Sequence, residues 1–421
     1  MTPARSYLFS LEQIGIKLGL DQIRALVTAL GNPDRAFASI VVAGTNGKGS
    51  VTAMIERGLR EAGVRTGRYT SPHLIDIEER FAIDGMSISA ATFDEAAARV
   101  HEASRQLPAP PSFFEATTAL ALELFREAGV GVAVLEVGMG GRLDATNVVQ
   151  PVAVAITAVD FDHQEYLGDT LALIAREKAG VIKPGSVVVV GPNPPEVVEV
   201  IAETCAAAGV PLTRADQGCE IAARVVGGRG RLSMTTPAAH YGDMVIGLRG
   251  RHQIDNAITA IRLLEAFSGV YPGKIPPAAI RAGVEQVVWP GRLELLRWRG
   301  VDVLVDGAHN PAGARALASY LHDTYRAPSP MVVGIMGDKK IDEIIGALAP
   351  AAAMFVFTAA RTPRAAPPAD LLARAAAIAP GVPAIAIADP IAGLEHARAA
   401  GSPVVVAGSL YLAGEIRAVL S

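Results

Sequence analysis

A glycine-rich segment near the beginning of the chain has the composition of a phosphate-binding loop. Residues 39–50 read SIVVAGTNGKGS, an apolar strand followed by a turn and by a helix that we expect to begin near Val51. The glycines of this segment are Gly44, Gly47 and Gly49. Glycines let backbone amides approach an anion and adopt positive φ, the helix start adds unpaired N–H groups, and Lys48 adds a mobile cation. This combination predicts a polyphosphate ligand.

The same segment departs from the general phosphate-loop pattern at two positions. Val42 stands where that pattern has its first glycine, and Gly49 separates Lys48 from the hydroxyl of Ser50. A glycine-rich turn can also serve only to pack a helix on a sheet. The lysine and two neighbouring hydroxyls favour phosphate binding, so we expect a variant loop.

A carboxylate in an apolar strand is the next candidate. Glu136 interrupts the apolar run of residues 131–137, where a charged group is costly without a cation partner. A magnesium ion beside a nucleotide takes hard oxygen ligands and keeps several waters. Glu136 is therefore a candidate metal ligand. The alternative is a buried glutamate satisfied by backbone donors or by an arginine.

These groups need a layered α/β scaffold to bring them together. Short β-branched runs alternate with helix-prone segments, which is typical of a mostly parallel sheet. The predicted strands are residues 39–43, 132–137, 152–159 and 187–190. Residues 218–250 mix glycine, threonine and arginine and are predicted to form an antiparallel hairpin. Residues 107–112 and 363–368 are predicted loops.

The strand pattern restarts after residue 301. Five apolar strands are predicted there, with the sequences VDVLVD, MVVGIMG, MFVFTAA, AIAIAD and VVVAGS. We therefore predict an α/β protein with two domains: an N-terminal P-loop-type ATPase domain with a mostly parallel sheet, residues 1–289, and a smaller C-terminal Rossmann-like domain, residues 290–421. The hinge is expected near residues 288–295.

Composition excludes several classes of protein. The 421 residues are 50% hydrophobic and 19% charged, which indicates a compact globular enzyme. A net charge of −4 gives no broad surface for nucleic acid or an anionic membrane. Cys205 and Cys219 are too few for a disulfide framework and are expected to be buried thiols. The sequence contains neither an apolar stretch of about 20 residues nor a signal-peptide layout, so a cytoplasmic protein is expected.

Eight short motifs resemble the folylpolyglutamate synthase family within the Mur ligase superfamily. They are GTNGKGS at 44–50, SPHL at 71–74, LEVGMGGRLDATN at 135–147, REKAG at 176–180, HQIDNA at 252–257, PGRLE at 290–294, DGAHNP at 306–311 and GSLYL at 408–412. They follow the order of the family over most of the chain. The resemblance implies an ATP-dependent amide ligase that uses Mg²⁺ at two sites.

The resemblance also implies site residues. The positions that match ATP contacts are Thr45, Asn46, Gly47, Lys48, Gly49, Ser50, Asn256, Arg292 and Asp306. The positions that match the second magnesium site are Ser71, Glu136 and His163. Asp160 and Asp162 are expected to be ordinary loop or capping residues. Lys178 matches a lysine that is carbamylated in related enzymes, although a helical lysine more often pairs with a neighbouring acid.

An acceptor site is implied in the same way. The positions that match the dihydropteroate site are Ser112, Phe113, Phe114, Glu115, Leu143, Asp144 and Ala145. The two phenylalanines could face a flat pterin ring, although such a pair is more often core. In the C-terminal part, His309 is a candidate catalytic residue, with a turn-stabilising role as the alternative for it and for Asn310. Lys340 stands where many relatives have an acid.

The predicted function is addition of L-glutamate to dihydropteroate, to reduced folates, or to both, through an acyl phosphate. The partners are then small molecules, with no nucleic acid or membrane, and the enzyme is expected to be a monomer. A monofunctional folylpolyglutamate synthase is the nearest alternative. A Mur-type peptidoglycan ligase is disfavoured because the segment before the phosphate loop is too short for a further substrate domain. The last alternative is a nucleotide-gated binding module without turnover.

Overall fold

The structure, a computed structural model, describes residues 2–15 and 17–420. These residues form an eight-stranded sheet, a three-stranded sheet and a six-stranded sheet, with helices packed against them. The α/β class and the mostly parallel first sheet that the sequence predicts are confirmed.

The first sheet has the spatial order β4-β3-β2-β5-β1-β6-β7-β8. Its strands are β1 (Ala38–Ala43), β2 (Thr66–Tyr69), β3 (Phe81–Ile83), β4 (Met86–Ser87), β5 (Val132–Glu136), β6 (Pro151–Ile156), β7 (Val187–Val190) and β8 (Leu212–Arg214). Six strands pair in parallel, and β3 and β4 add an antiparallel edge. All four strands predicted in this part of the chain are present.

Helices cover both faces of this sheet. They are α1 (Pro3–Ser10), α2 (Asp21–Ala29), α3 (Lys48–Glu61), α4 (Ala90–Ser104), α5 (Phe113–Glu127), α6 (Gln164–Leu167), α7 (Leu171–Ala179), α8 (Pro195–Ala208), α9 (His252–Ser268) and α10 (Pro277–Glu285). Side chains of β1 alternate between two cores: Val41 packs on the side of α5, and Ile40 and Val42 pack on the side of α3 and α9. Burial on both faces explains why β1 is apolar throughout.

The segment at 218–250 forms its own antiparallel sheet. Its strands are β9 (Glu220–Val226), β10 (Arg229–Thr235) and β11 (His240–Arg249), in the order β11-β10-β9. The predicted hairpin is therefore confirmed and has one strand more than a simple hairpin. Leu232, Met244 and Ile246 join the core around α9, so this sheet packs on the face of the first sheet that α3 and α9 cover.

The C-terminal sheet has the order β12-β13-β17-β14-β15-β16. Its strands are β12 (Glu294–Trp298), β13 (Val301–Val305), β14 (Ser329–Val333), β15 (Ala352–Phe357), β16 (Ala384–Ala386) and β17 (Val404–Ala407). Its helices are α11 (Pro311–Thr324), α12 (Ile341–Leu348), α13 (Pro368–Ile378), α14 (Pro390–Arg398) and α15 (Leu410–Leu420). Five of these strands pair in parallel, as in a Rossmann-like fold.

Strand β12 was not predicted; it begins at the end of the predicted hinge, residues 288–295, and continues beyond it. It pairs antiparallel with β13, with Trp298 opposite Val301, so that Arg299 and Gly300 form a two-residue turn. Both turn residues have positive φ, as tight hairpins require. The six-stranded count corrects the prediction of five. The domain boundary between residues 289 and 290 remains a prediction.

Three smaller expectations concern loops, thiols and the membrane. Residues 107–112 are loop and residues 363–368 are mostly loop. Cys205 is buried as expected, whereas Cys219 is only half-buried, which corrects the expectation for that thiol. Over residues 2–15 and 17–420, no helix is both long enough and apolar enough to cross a membrane.

Candidate active site

The phosphate loop joins β1 to α3, at the carboxyl end of the parallel strands. The helix begins at Lys48, three positions earlier than predicted. Gly44 and Gly47 have φ of 146° and 87°. A Cβ at Gly44 would lie 1.9 Å from Thr157 Oγ1, and one at Gly47 would lie 2.3 Å from Asn256 Oδ1. These two positions therefore need glycine both for backbone conformation and for space.

Gly49 differs from the other two glycines. It lies within α3 and lacks positive φ, which corrects that part of the prediction. A Cβ at this position would lie 2.8 Å from Nε1 of Trp289, so the indole lies directly on the first turn of α3. The guanidinium of Arg68 covers the same indole, 4.8 Å from a ring centre. Gly49 thus makes room for the segment that leads to the C-terminal sheet.

Two lysines, the half-buried Lys48 and the buried Lys178, converge on one loop carbonyl. Lys48 Nζ donates to Gly44 O at 3.1 Å and to Thr45 O at 3.0 Å, and Lys178 Nζ donates to Gly44 O at 2.8 Å. Among the described residues, neither lysine forms an ion pair, so the expected alternative of an acidic partner for Lys178 is wrong. Burial lowers the pKa of Lys48. Burial and the charge of Lys48 lower the pKa of Lys178 to about 7.

The N-terminal half of α9 forms the wall opposite the loop. Asn256 faces Gly47 and donates from Nδ2 to Gln253 Oε1 at 2.9 Å. Gln253 Nε2 in turn donates to Ser50 Oγ at 3.2 Å. Gln253 was not predicted as a site residue, although it lies in the HQIDNA motif. Residues 252–257 are thus coupled to the loop through side-chain hydrogen bonds.

Glu136 ends β5 beside the loop. Ser71 donates its backbone N–H to Glu136 Oε2 at 3.3 Å, so two of the three expected metal ligands are adjacent. Glu136 is 6% exposed, and burial raises its pKa while Lys48 and Arg292 counteract that rise. Within the described residues it has no ion-pair partner, and one carboxylate oxygen receives no hydrogen bond. This oxygen-rich corner suits a hard cation.

His163, the third expected ligand, lies at the start of α6 with φ of 50°. Its Nε2 is 3.8 Å from Asp162 Oδ1. Burial lowers the pKa of His163, with Lys48 and Lys178 adding to that effect and Asp162 opposing it. The structure thus places His163 within the field of the loop lysines. Over the described ranges, no hydrogen bond joins His163 to Glu136.

Asp162 joins the two parts of the molecule. Its Oδ1 accepts from Lys339 Nζ at 2.9 Å, and its Oδ2 accepts from Asn310 Nδ2 at 3.2 Å. Burial raises the pKa of this carboxyl, but His163 and Lys339 outweigh burial and hold the pKa well below its usual range. Asn310 Nδ2 also donates to Asn46 Oδ1 of the loop at 3.1 Å. The expectation that Asp162 is an ordinary loop residue is wrong.

The neighbours of this bridge have different roles. Asp160 lies 3.5 Å from the exposed Arg315, a second and weaker contact between the two parts. Lys339 was not predicted, whereas Lys340, which was singled out, is half-exposed and pairs with Glu343 at 3.3 Å. His309 Nδ1 lies 2.8 Å from Gly307 O, and burial lowers its pKa to about 4. His309 is therefore a neutral side chain at the cleft.

Arg292 and Asp306 face the loop from the C-terminal sheet. Asp306 accepts from the N–H groups of Leu293 at 2.8 Å and Ala308 at 2.9 Å, so both its oxygens organise the backbone here. Arg292 donates to Gly291 O at 3.4 Å and forms no ion pair among the described residues. Its charge lowers the pKa of Glu136, which brings a third cation to the same centre.

The expected acceptor residues divide into caps and aromatic surface. Ser112 and Glu115 form a capping box at the start of α5, and Asp144 caps the short helix Ala145–Val148. Phe113 and Phe114 are half-buried beside them. Leu143 is half-buried and Ala145 is buried. The structure packs these two segments together in one core and leaves the phenylalanines partly open.

Arg80 and His73 complete the aromatic side and were not predicted. Arg80 lies over the ring of Phe113, 5.2 Å from its centre, and donates from Nε to His73 Nδ1 at 3.0 Å. Burial and the charge of Arg80 lower the pKa of His73 to about 4, so His73 is a neutral acceptor. The SPHL motif was the available signal, because His73 follows Ser71 by two residues.

Known proteins resemble the chain along its length. Residues 42–264 match the Mur ligase middle domain, and residues 291–410 match the Mur ligase glutamate ligase domain. A dihydrofolate synthase/folylpolyglutamate synthase of Mycobacterium tuberculosis is 40% identical over 366 residues, which cover 82% of this chain and 75% of the relative.

Solved structures are similar to the chain over nearly its whole length. Mycobacterium tuberculosis folylpolyglutamate synthase complexed with ADP and AMPPCP superposes with a TM-score of 0.91, 34% identity and 99% coverage of both chains. A bifunctional folylpolyglutamate synthase/dihydrofolate synthase with Mn, AMPPNP and L-glutamate bound has a TM-score of 0.87 and 30% identity, and covers 100% of this chain and 98% of that one.

Proposed function

Because the chain belongs to the Mur ligase family, we propose that it is an ATP-dependent, ADP-forming ligase that adds L-glutamate to dihydropteroate and to reduced folates. The observation that carries this proposal is the group of cations around the phosphate loop. Lys48 and Arg292 come from different elements, both lower the pKa of Glu136, and have no ion-pair partner among the described residues. Two cations without an ion pair suit an anionic ligand such as a polyphosphate.

The reaction has two steps. A carboxylate oxygen of the acceptor attacks the γ-phosphorus of ATP, the bond to the bridging oxygen breaks, and an acyl phosphate and ADP form. The uncharged amine of L-glutamate then attacks the acyl carbon, and phosphate leaves as the amide forms. Lys48 and Arg292 offset charge on the transferred phosphoryl group, and the neighbouring elements exclude water from the intermediate.

Isotope transfer tests this sequence of steps. Dihydropteroate and tetrahydrofolate, each labelled with ¹⁸O in the reacting carboxylate, are given to the enzyme with L-glutamate and Mg-ATP. We expect one labelled oxygen in the released phosphate for each amide formed, with both acceptors. Phosphate release without amide formation would refute the ligase. Amide formation with tetrahydrofolate alone would point to a monofunctional enzyme.

For the divalent cation we propose Mg²⁺ at two sites, one held by Ser71, Glu136 and His163. The unshared oxygen of buried Glu136 fits a hard ion, which would screen phosphate charge when bound. The remaining nucleotide contacts proposed are those of Thr45, Asn46, Gly47, Gly49, Ser50, Asn256 and Asp306. Mn²⁺ binding followed by electron paramagnetic resonance tests the cation site: Glu136→Gln should weaken Mn²⁺ binding without unfolding the protein.

We propose that Lys178 is carbamylated. A lysine with a pKa of about 7 is uncharged in a substantial fraction of molecules near neutral pH, and an uncharged amine adds to CO₂ to give a carbamate and a proton. The product is an anion close to Lys48. Protein equilibrated with ¹³CO₂ should show one carbamate carbon resonance that is absent from Lys178→Met.

The acceptor is proposed to bind along the aromatic side of the cleft. Phe113 and Phe114 present partly open rings that suit a flat bicyclic ligand, and the half-buried Leu143 is proposed as a further contact. Ser112, Glu115, Asp144 and Ala145 hold this surface through their caps and packing. His309 is proposed to act on the glutamate side. A monomeric, cytoplasmic enzyme is part of the proposal, and sedimentation tests the first point.

A further inference from the structure

Arg80 is a buried cation that has no carboxylate partner in the described part of the chain. It is 7% exposed, at the end of the short helix Ile77–Arg80, and its backbone oxygen accepts from Thr70 N–H at 3.0 Å. The side chain is used only through Nε, which donates to His73, and through its stacking on Phe113. Over residues 2–15 and 17–420, neither terminal nitrogen has a hydrogen bond or ion pair, and both retain accessible surface.

Other well-buried arginines of this part of the molecule are paired. Arg68 lies 3.7 Å from Glu56, and Arg262 lies 2.8 Å from Glu265. Burying an unpaired charge costs several kcal/mol, so partners are the rule for such groups. Arg80 departs from this rule because its planar fork of N–H donors is left open.

The nearby acids do not pair with Arg80. Glu79, the preceding residue, accepts the backbone N–H groups of Leu74, Ile75 and Asp76 instead. Glu115, two residues after Phe113, accepts from Ser112 in the capping box. Because no carboxylate of the described residues pairs with Arg80, its fork is open to a carboxylate of a ligand.

The position of Arg80 connects two ends of the candidate site. On one side it contacts Phe113 of the aromatic surface. On the other side it holds His73, two residues after Ser71, whose N–H reaches Glu136. A ligand that runs from the aromatic surface toward Glu136 passes the open fork.

We propose that Arg80 binds a carboxylate of the acyl substrate through its two terminal nitrogens. A guanidinium matches a carboxylate in a forked geometry and orients as well as attracts it. This assignment rests on the proposed function. The carboxylate is the single one of dihydropteroate and, in tetrahydrofolate, one of the two carboxylates of the glutamyl group.

Equilibrium binding without ATP tests the assignment. Dihydropteroate, its decarboxylated analogue and tetrahydrofolate are titrated into wild type, Arg80→Met, Arg80→Lys and the control Arg24→Met, whose arginine is exposed on α2. Loss of a charge-assisted pair should weaken binding of the carboxylate ligand about 10- to 100-fold in Arg80→Met. Arg80→Lys should fall between, because it keeps the charge and loses the fork. The decarboxylated analogue should bind all four proteins equally.

The comparison between ligands shows which carboxylate Arg80 binds. Weaker binding of both ligands shows that Arg80 binds a carboxylate of either acceptor. Weaker binding of tetrahydrofolate alone assigns a carboxylate of the glutamyl group, and weaker binding of dihydropteroate alone assigns the pteroyl carboxylate. Equal loss for dihydropteroate, tetrahydrofolate and the decarboxylated analogue, or no loss for any, overturns the role of Arg80. Unchanged ADP binding and an unchanged melting temperature show that a variant is folded. If Arg80→Met does not fold, Arg80→Lys still tests the assignment. A wild type that binds pteroyl ligands and makes no amide would refute the proposed function alone.

Discussion

The two sides of the cleft hold their buried cations in different ways. On the phosphate-loop side, Lys48 and Lys178 donate to backbone carbonyls and have no ion pair among the described residues. On the C-terminal side, Lys339 is paired at 2.9 Å with Asp162 of the other part of the molecule. Unpaired cations leave charge for a ligand, whereas the paired cation uses its charge to join two elements.

This contrast predicts that the loop side contributes to catalysis and that the bridge holds the two parts of the molecule in place. A substitution on the loop side should lower the catalytic rate and leave the arrangement of the sheets intact. A substitution at the bridge should change that arrangement first and the rate as a consequence. Each of the following tests asks whether one side behaves like the other.

Lys48→Met should have the largest effect. Loss of a preorganised cation that offsets transition-state charge should lower kcat about 100- to 1,000-fold or more. Binding of the acceptor should persist, since Lys48 lies on the nucleotide side. Steady-state kinetics and acceptor titration measure the two properties, with the exposed Lys274→Met as the control. If acceptor binding and kcat fell by the same factor, Lys48 would not act on the rate alone, and the contrast between the two sides would be wrong.

Lys339→Met should have the second largest effect. It leaves Asp162 buried and without its lysine, and we expect activity to fall about 10- to 100-fold with a change in the relative position of the two parts. Small-angle scattering measures the relative position of the two parts, and steady-state kinetics measures kcat. The adjacent Lys340→Met is a matched control, because that side chain is 46% exposed against 10% for Lys339. Identical behaviour of the two variants would show that the bridge is not structural.

Gly49→Ala probes the contact between the loop and the segment before β12. A Cβ at Gly49 would meet the indole of Trp289, so we expect a loss of about 1–3 kcal/mol in the free energy of unfolding. The exposed Gly381→Ala, with open space around it, should change little. In the double variant Gly49→Ala/Trp289→Leu the losses should be less than additive. Strict additivity in chemical denaturation would mean that the two residues do not interact.

The smallest effect is a pH dependence from Lys178. Its folded pKa is about 7, below that of an unfolded lysine, so between these values the unfolded chain binds more protons. The free energy of unfolding should therefore rise with pH from about 7 upward, relative to Lys178→Met, and the penalty should be full below pH 7. Denaturant titrations in CO₂-free buffer measure the difference. If the difference in the free energy of unfolding between the two proteins did not change with pH, the Lys178 amine would be more hydrated than its burial indicates.

Local patterns allowed the loop to be predicted from the sequence. The strand, the turn and the helix start of residues 39–50 depend on adjacent residues, and the structure places all three together. The capping box of Ser112 and Glu115 was not predicted, although S-x-x-E before a helix is a known start signal. What the sequence did not separate was capping from ligand contact at these positions.

Contacts between distant residues could not be predicted. Lys339 pairs with a carboxylate 177 positions away, and Gln253 reaches a hydroxyl 203 positions away. No local pattern distinguishes Lys339 from Lys340, because only the packed structure decides which one is buried. Strand β12 was missed for a different reason: it begins inside the segment 288–295 that was interpreted as a hinge, and its turn, Arg299 and Gly300, carries a weak hairpin signal.

The indole that lies on the first turn of α3 also gives the protein an optical reporter. The chain has two tryptophans, and the second, Trp298, lies beside the exposed Arg299, away from the loop. Emission from Trp289 depends on the helix start against which it packs and on the guanidinium that covers it. Occupancy of the loop should therefore be visible as a fluorescence change in unlabelled protein, with Trp298→Phe leaving a single emitting group.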